Sequence, residues 1–133
     1  MEYADERDED LFRVYRHVLS TTKVIKLNEI LEKVVNSPAK RFWVSESRAS
    51  IVLADMFKGK PLPRMHPLKE EMYRELYRRA VKVRNTYPTM SLIDIAWKVC
   101  NQPAPKFYIQ ASSANIYIHY IKKKWFARKR LGQ

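Results

Sequence analysis

Two short segments place a basic side chain directly before two aromatic side chains. They are Arg41-Phe42-Trp43 and Lys106-Phe107-Tyr108. A cation beside a flat ring suits a phosphate contact next to a stacked base or sugar. If these segments are extended, side chains alternate, so Trp43 and Tyr108 face away from the core while the Phe residues face it. The alternative is that both rings pack as apolar bodies inside the protein.

The densest group of cations lies near the C-terminus. Six basic residues surround Trp125 and Phe126, and no acidic side chain follows Asp94. A positive field of this kind attracts a polyanion, and the aromatic residues within it favour nucleic acid over a merely solvated helix face. A basic amphipathic helix lying on an anionic membrane is the weaker alternative, and we expect no membrane partner.

Three more cations stand at positions that suit an anion. Lys33 and Lys98 lie off the apolar stripes of their helices, and Arg48 lies near the predicted start of a helix, where backbone N–H groups can hold a phosphate. Each could equally be a solvated surface residue. The predicted nucleic-acid-binding residues are therefore Lys33, Arg41, Trp43, Arg48, Lys98, Lys106, Tyr108, Lys122, Lys123, Lys124, Arg128, Lys129 and Arg130.

The net charge of +12 is unevenly distributed along the 133 residues. Residues 1–10 carry six acids and one base, which leaves the basic excess to the rest of the chain. We predict that this segment is a disordered acidic arm, and that it screens the basic surface in cis.

Enzymatic function has little support in the sequence. With only Gly59 and Gly132, the chain cannot form a glycine-rich phosphate loop, and Cys100 is its only cysteine. None of the three histidines has a second histidine or a cysteine one helical turn away. We expect no catalytic residue, cofactor or metal site. Because no apolar run approaches the roughly 18 residues of a membrane span, we expect a cytoplasmic protein.

The elements that would position these residues occur twice. In the 33 pairs from Leu27/Leu92 to Gly59/Lys124, aligned without a gap, 12 are identical. The sequence thus indicates an internal tandem duplication of about 50 residues. A residue kept in both copies belongs to the module, whereas a residue found once serves that copy alone.

Each copy has the pattern of three helices. Apolar residues recur at helical spacing after Leu11 and after Met72, and again in Leu27-Val35 and Leu92-Cys100. Ser91 and Asp94 have capping-box spacing. Asn36 and Asn101, each followed two residues later by Pro, predict helix ends in which Asn adopts the left-handed conformation.

A short β-favouring stretch and a third helix complete each copy. The β-favouring stretches are 42–44 and 107–109, and Ser47 and Ser112 are the predicted N-caps of the third helices. We predict a mainly α fold in which a module of helix, helix, short extended arm and helix occurs twice. The predicted boundaries are 1–10 acidic arm, 11–58 first copy, 59–68 proline-rich linker, 69–126 second copy and 127–133 basic tail.

This order of elements resembles, in layout only, the helix-turn-helix class of DNA-binding domains, over residues 11–60 and 76–126. The separation of roughly ten residues before the third helix is longer than the turn of that class. We therefore expect a non-catalytic nucleic-acid-binding protein, for DNA more than RNA. The alternative is a structural or adaptor protein, in a nucleoprotein or phage-like assembly, with a protein partner bound through the Trp43/Tyr108 surface.

Overall fold

The computed structural model describes residues 3–23 and 26–130, and over these residues the protein is mainly helical, with no β-strand. The helices are α1 (Ala4–Thr21), α2 (Leu27–Val35), α3 (Glu46–Phe57), α4 (Pro67–Thr86), α5 (Leu92–Cys100) and α6 (Ala111–Arg130). The predicted fold class is confirmed in its mainly α character. Residues 131–133 of the predicted basic tail and residues 1–2 of the predicted arm lie outside the described residues.

The chain divides into two compact units that differ from the two predicted copies, 11–58 and 69–126, which we call the repeated segments. Unit 1 contains α1, α2 and α6, and unit 2, residues 40–104, contains α3, α4 and α5. Within each unit, all three helices pack against one another. Each unit therefore combines the first two helices of one repeated segment with the third helix of the other.

The predicted apolar stripes form the core of each unit. In unit 1 the most deeply buried side chains include Leu11, Leu31, Val34, Phe107 and Ala114. In unit 2 they include Phe42, Leu53, Leu76, Ile95 and Val99. Two residues of the predicted stripes are exceptions, because 46% of Leu19 on α1 and 47% of Leu27 at the start of α2 stay exposed.

Helices α2 and α5 end in the same way, but not in the predicted way. The side-chain amide of Asn36 donates to the carbonyl oxygen of Glu32, and that of Asn101 donates to the carbonyl oxygen of Trp97, both at 2.8 Å. The two Asn residues have φ of −94° and −92°, so the predicted left-handed conformation is wrong. The amide adds a second hydrogen bond to a carbonyl oxygen that already accepts from the backbone N–H of the same Asn, at 3.2 Å in α2 and 3.3 Å in α5.

The segments after these helices are irregular rather than extended strands. The backbone N–H of Phe42 donates to the carbonyl oxygen of Cys100 in unit 2, and that of Phe107 donates to the carbonyl oxygen of Val35 in unit 1, both at 3.0 Å. Each bond satisfies a carbonyl at the end of a helix. The two Phe rings are 0% and 3% exposed, which agrees with their predicted place in the core.

The predicted acidic arm is not a disordered arm where the structure describes it. Residues 4–10 form the first turns of α1, with Asp5 and Glu6 at the positive end of the helix dipole. Asp10 is 1% exposed and accepts from the guanidinium of Arg13 at 2.7 Å. Arg7 lies over the ring of Tyr117 from α6, with its guanidinium carbon 3.8 Å from the ring centroid. These contacts compensate for burying charge, so the prediction of disorder from acidic composition is wrong for residues 4–10.

The third helices begin slightly before the predicted N-caps. Ser45, rather than Ser47, caps α3 by accepting from the backbone N–H of Arg48 at 3.3 Å. Ser112 is likewise the second residue of α6, which begins at Ala111. The predicted cap of α5 is confirmed, because Ser91 Oγ accepts from the backbone N–H of Asp94 at 3.2 Å.

Glu75 makes the stability of unit 2 depend on pH in the acidic range. Hydrogen bonds from Arg78 and Arg79, at 2.7 and 3.0 Å, lower the pKa of this carboxyl from 4.5 to about 2. Because the pKa of Glu75 is lower in the folded state than in the unfolded state, ionised Glu75 adds to the free energy of unfolding. This stabilisation is fully present above pH 4.5 and disappears as the pH falls towards 2. We expect Glu75→Gln to lower the urea midpoint at pH 6 more than at pH 2.5. Glu29→Gln, an exposed control on α2, should leave the pH dependence unchanged, and an equal loss at both pH values in E75Q would contradict the prediction.

Candidate nucleic-acid interface

The last turns of α6 carry an exposed basic and aromatic surface, which we define as residues 122–130 and call the α6 basic surface. Trp125 and Phe126 are 36% and 52% exposed, and their rings meet edge to face with centroids 5.1 Å apart. The Lys129 ammonium lies 4.3 Å from the Trp125 centroid. Lys123, Arg128 and Arg130 are also exposed. Cations beside accessible rings can contact phosphates while the rings stack on bases or sugars.

Two of the predicted cations on this surface are already engaged within unit 1. Lys122 donates to the hydroxyl of Tyr15 at 3.2 Å and lies 4.5 Å from the centroid of the same ring. Lys124 pairs with Asp5 at 2.9 Å, and this bond holds the pKa of the Asp5 carboxyl below its usual value. Lys122 therefore helps to join α6 to α1, and the acidic start of α1 neutralises part of the basic surface.

Arg41 has a structural role that the sequence did not reveal. Its guanidinium donates to the carbonyl oxygens of Phe42 and Val44 and to the carboxylate of Glu46, at 3.0, 2.7 and 3.1 Å. The side chain is 14% exposed and lies 5.2 Å from the Trp43 ring centroid. Arg41 thus fixes the entry of the chain into α3, and its donors are directed at the protein rather than at an external phosphate.

Trp43 and Tyr108, predicted to stack, are placed differently. Trp43 is partly exposed in unit 2, whereas Tyr108 is 7% exposed in unit 1. Tyr108 has φ of +57°, in the left-handed region, so the alternation expected for an extended segment fails there. Lys106 lies 5.4 Å from the centroid of its ring. The buried Tyr108 ring is not available for stacking on a base, which contradicts that prediction.

The identical lysines Lys33 and Lys98 make equivalent internal contacts. In unit 1, Lys33 Nζ donates to Thr22 Oγ1 at 3.0 Å, and in unit 2, Lys98 Nζ lies 5.1 Å from the Tyr87 ring centroid. Thr22 and Tyr87 are the C-cap residues of α1 and α4. Each lysine therefore ties the second helix of a repeated segment to the end of the first. This explains their identity without an external ligand.

Arg48 and the third helices retain exposed side chains. Arg48 is exposed on the first turn of α3, although Ser45 occupies its backbone N–H. Ile51 on α3 and Ile116 on α6 are 57% and 55% exposed, and the sequence prediction omitted both from the site. The signal that could have identified them is their identity in the two repeated segments, combined with their position opposite the buried stripe.

The remaining candidates for other chemistry are the Cys100 thiol, a metal site and a membrane-spanning helix. Burial raises the pKa of the Cys100 thiol to about 12, so this side chain is an inert part of the unit 2 core. Residues 3–23 and 26–130 contain no cluster of three His, Cys, Asp or Glu residues that could hold a metal ion. Over the same ranges, the helices are too short or too polar to cross a membrane. Comparisons with protein-family models, with curated proteins and with solved structures find no match to this chain.

Proposed function

We propose that this chain is a non-catalytic nucleic-acid-binding protein that uses the α6 basic surface to bind duplex DNA. The observation that carries the proposal is the set of exposed cations, among them Lys123, Arg128 and Arg130, beside the accessible rings of Trp125 and Phe126 on one helix. We further propose that the two repeated segments arose by tandem duplication of a helix-turn-helix-like module. The equal spacing of helix starts supports this proposal, since α2 and α5, like α3 and α6, begin 65 residues apart.

Charge distinguishes a nucleic acid from an uncharged partner. The chain after Asp94 has eight basic residues and no acidic residue, so α6 carries a field of one sign. Contacts to phosphate release condensed counterions, which is the main source of sequence-independent affinity for DNA. The rings of Trp125 and Phe126 add surface that can lie against sugars or bases.

Helical geometry favours a duplex over a single strand. The major groove of B-DNA is wide enough to admit an α-helix. Both α3 and α6 have one face buried in their unit, which contains Ala49 and Leu53 or Ala114 and Ile118. The opposite face is exposed at Ile51 and Ile116. The exposed face of each third helix is thus free of its own unit and suited to enter a groove.

The first test of the function is a salt titration of binding by fluorescence anisotropy. The full chain is mixed with a labelled duplex, a single DNA strand or an RNA strand of equal length. Each phosphate contact should contribute a log–log slope of about −0.9 on the duplex and about −0.7 on a single strand. We expect duplex preference and a slope of about −5. Weak binding at about 0.15 M salt, or a shallow slope without preference, would reject the proposed function.

The ion pair between Asp5 and Lys124 leads to a second prediction. Asp5→Asn should free the Lys124 ammonium for a phosphate and so raise duplex affinity about fivefold at 0.15 M salt, the value of one added phosphate contact. The Asp5 side chain is 77% exposed, so the fold should be unaffected. Glu29→Gln, which removes one exposed negative charge from α2 of the same unit, is the matched control. Equal gains in both variants would show that net charge, rather than this contact, sets the affinity.

An adaptor function is the second candidate, and a specific patch favours it. Ile93 and Trp97 lie one turn apart on α5 of unit 2 and are 60% and 52% exposed. Exposed apolar residues at this spacing are typical of a protein interface. The patch could bind a protein in a nucleoprotein assembly. Under this function, Trp97→Ala should abolish association with a partner or with a second copy, as measured by light scattering, while leaving DNA affinity unchanged.

A further inference from the structure

The residues that are identical in the two repeated segments fall into groups according to their burial and their internal contacts. Five pairs are buried in the cores: Ile30/Ile95, Val34/Val99, Ala39/Ala104, Phe42/Phe107 and Ala49/Ala114. Three further pairs have structural roles at the second helices. Lys33 and Lys98 contact the end of the preceding helix, Asn36 and Asn101 cap the second helix, and Pro38 and Pro103 follow shortly after it. For these eight pairs, folding alone explains the identity.

Three of the remaining identical pairs are exposed and lie on the third helices or, for Lys58, at the C-cap of α3. They are Ser47/Ser112, Ile51/Ile116 and Lys58/Lys123. Their spacing of four and then seven residues places them on one face in each case, because these intervals are close to whole helical turns. The two isoleucines are more than half exposed, at 57% and 55%, so core packing does not require them. Identity at exposed positions therefore indicates contact with a ligand.

The charges beside this face favour a polyanion. Arg48 on α3 and Lys58 at its C-cap are exposed. The two carboxylates of the helix are paired, Glu46 with Arg41 at 3.1 Å and Asp55 with Lys60 at 3.7 Å. On α6, Lys123 lies on the same face as Ile116, and the helix contains no acidic residue. An exposed isoleucine flanked by cations matches a major groove, where thymine presents an apolar methyl group between two rows of phosphates.

We propose that α3 and α6 present the same DNA-reading face, in which Ile51 and Ile116 contact thymine methyl groups and Lys58 and Lys123 contact phosphate. Ser47 and Ser112 stand at the start of the face, where a hydroxyl can bond to a base edge or a phosphate. This inference rests on the proposed function and specifies its substrate as thymine-containing duplex DNA. Each unit supplies one such face.

The test compares one A·T-rich duplex with the same duplex in which deoxyuridine replaces thymidine. Deoxyuridine lacks the methyl group and leaves base pairing and phosphates unchanged. The wild-type chain should bind the thymine duplex more tightly, by about fourfold for each methyl group that it buries. Ile51→Ser and Ile116→Ser should each weaken binding to the thymine duplex by about that factor. The double variant should bind both duplexes equally.

Ile93→Ser is the matched control, because Ile93 is 60% exposed on α5 and is paired with Asn28 in the repeat. Its affinity and its preference for thymine should equal those of the wild type. If the wild type binds no duplex, the proposed function fails. If the wild type binds duplex with the expected salt dependence but does not distinguish thymine from uracil, only this inference fails. A change of oligomeric state in Ile51→Ser or Ile116→Ser, with DNA affinity intact, would also overturn it and identify the face as a contact between copies.

Discussion

Replacing Lys123, Arg128 and Arg130 together with Gln is expected to lower duplex affinity about 10²-fold at 0.15 M salt, with the log–log salt slope reduced by about 2.7. All three side chains are exposed on the α6 basic surface. None of the three donates a hydrogen bond to α1 as Lys122 does, and Arg128 acts on the exposed Asp5 carboxylate only through its charge, so the thermal unfolding midpoint should change little. Fluorescence anisotropy across a salt series measures both the affinity and the slope.

The control for this prediction is a second triple variant that removes the same number of positive charges from another part of the chain. Arg64, Lys69 and Lys82 are exposed residues of unit 2 that lie outside the α6 basic surface. Their replacement with Gln lowers the net charge by the same amount and should reduce affinity only through the general field, by much less than the α6 variant. Equal losses in the two triple variants would contradict the assignment of the site to α6.

A fragment that contains one whole compact unit should fold by itself, whereas a fragment that contains one whole repeated segment should not. Residues 40–104 contain every helix of unit 2 and should unfold cooperatively on heating, although a domain of this size has only marginal stability. Residues 67–130 contain one whole repeated segment, α4, α5 and α6, but lack the helices against which α6 packs. As a monomer, this fragment should show weak helicity and no cooperative transition. Circular dichroism and sedimentation measure both properties.

A specific outcome would reject this connectivity. If the 67–130 fragment were monomeric and unfolded in one sharp transition, α6 would be able to complete its own repeated segment. A point variant gives an independent check in the full chain. Leu53→Ala on α3 removes a fully buried side chain from unit 2 and should cost about 2–5 kcal/mol. That cost should also appear in the 40–104 fragment, since Leu53 makes its contacts within this unit.

The sequence predicted which faces of the helices are buried, but not which helix covers them. The α2 and α5 stripes follow from periodicity, and their burial was predictable from residues such as Val34 and Val99. Because both repeated segments have the same pattern, either third helix carries an apolar face that suits either pair. Periodicity contains no information about partners, so the pairing of α6 with α1 and α2 could be found only from the structure.

The positive charge of the candidate site was predictable from the sequence, but the internal contacts of its side chains were not. The exposed cations of α6 follow from composition and helical spacing. The internal roles of Arg41 and Lys122 depend on contacts with carbonyl groups and a phenol that charge counting does not detect. Tyr108 was misplaced because a positive φ is rare for a non-glycine residue, and an aromatic side chain gives no indication of it.

The division of the helices between units also determines the order in which the chain can fold during synthesis. Unit 2 can form as soon as residue 104 has left the ribosome, because all of its helices are then present. The apolar stripes of α1 and α2 must wait until α6 has been made, and closing that long loop costs chain entropy before any contact compensates for it. Unit 1 is therefore the later unit to form, and the helix that completes it is the same one that carries the proposed DNA-binding surface.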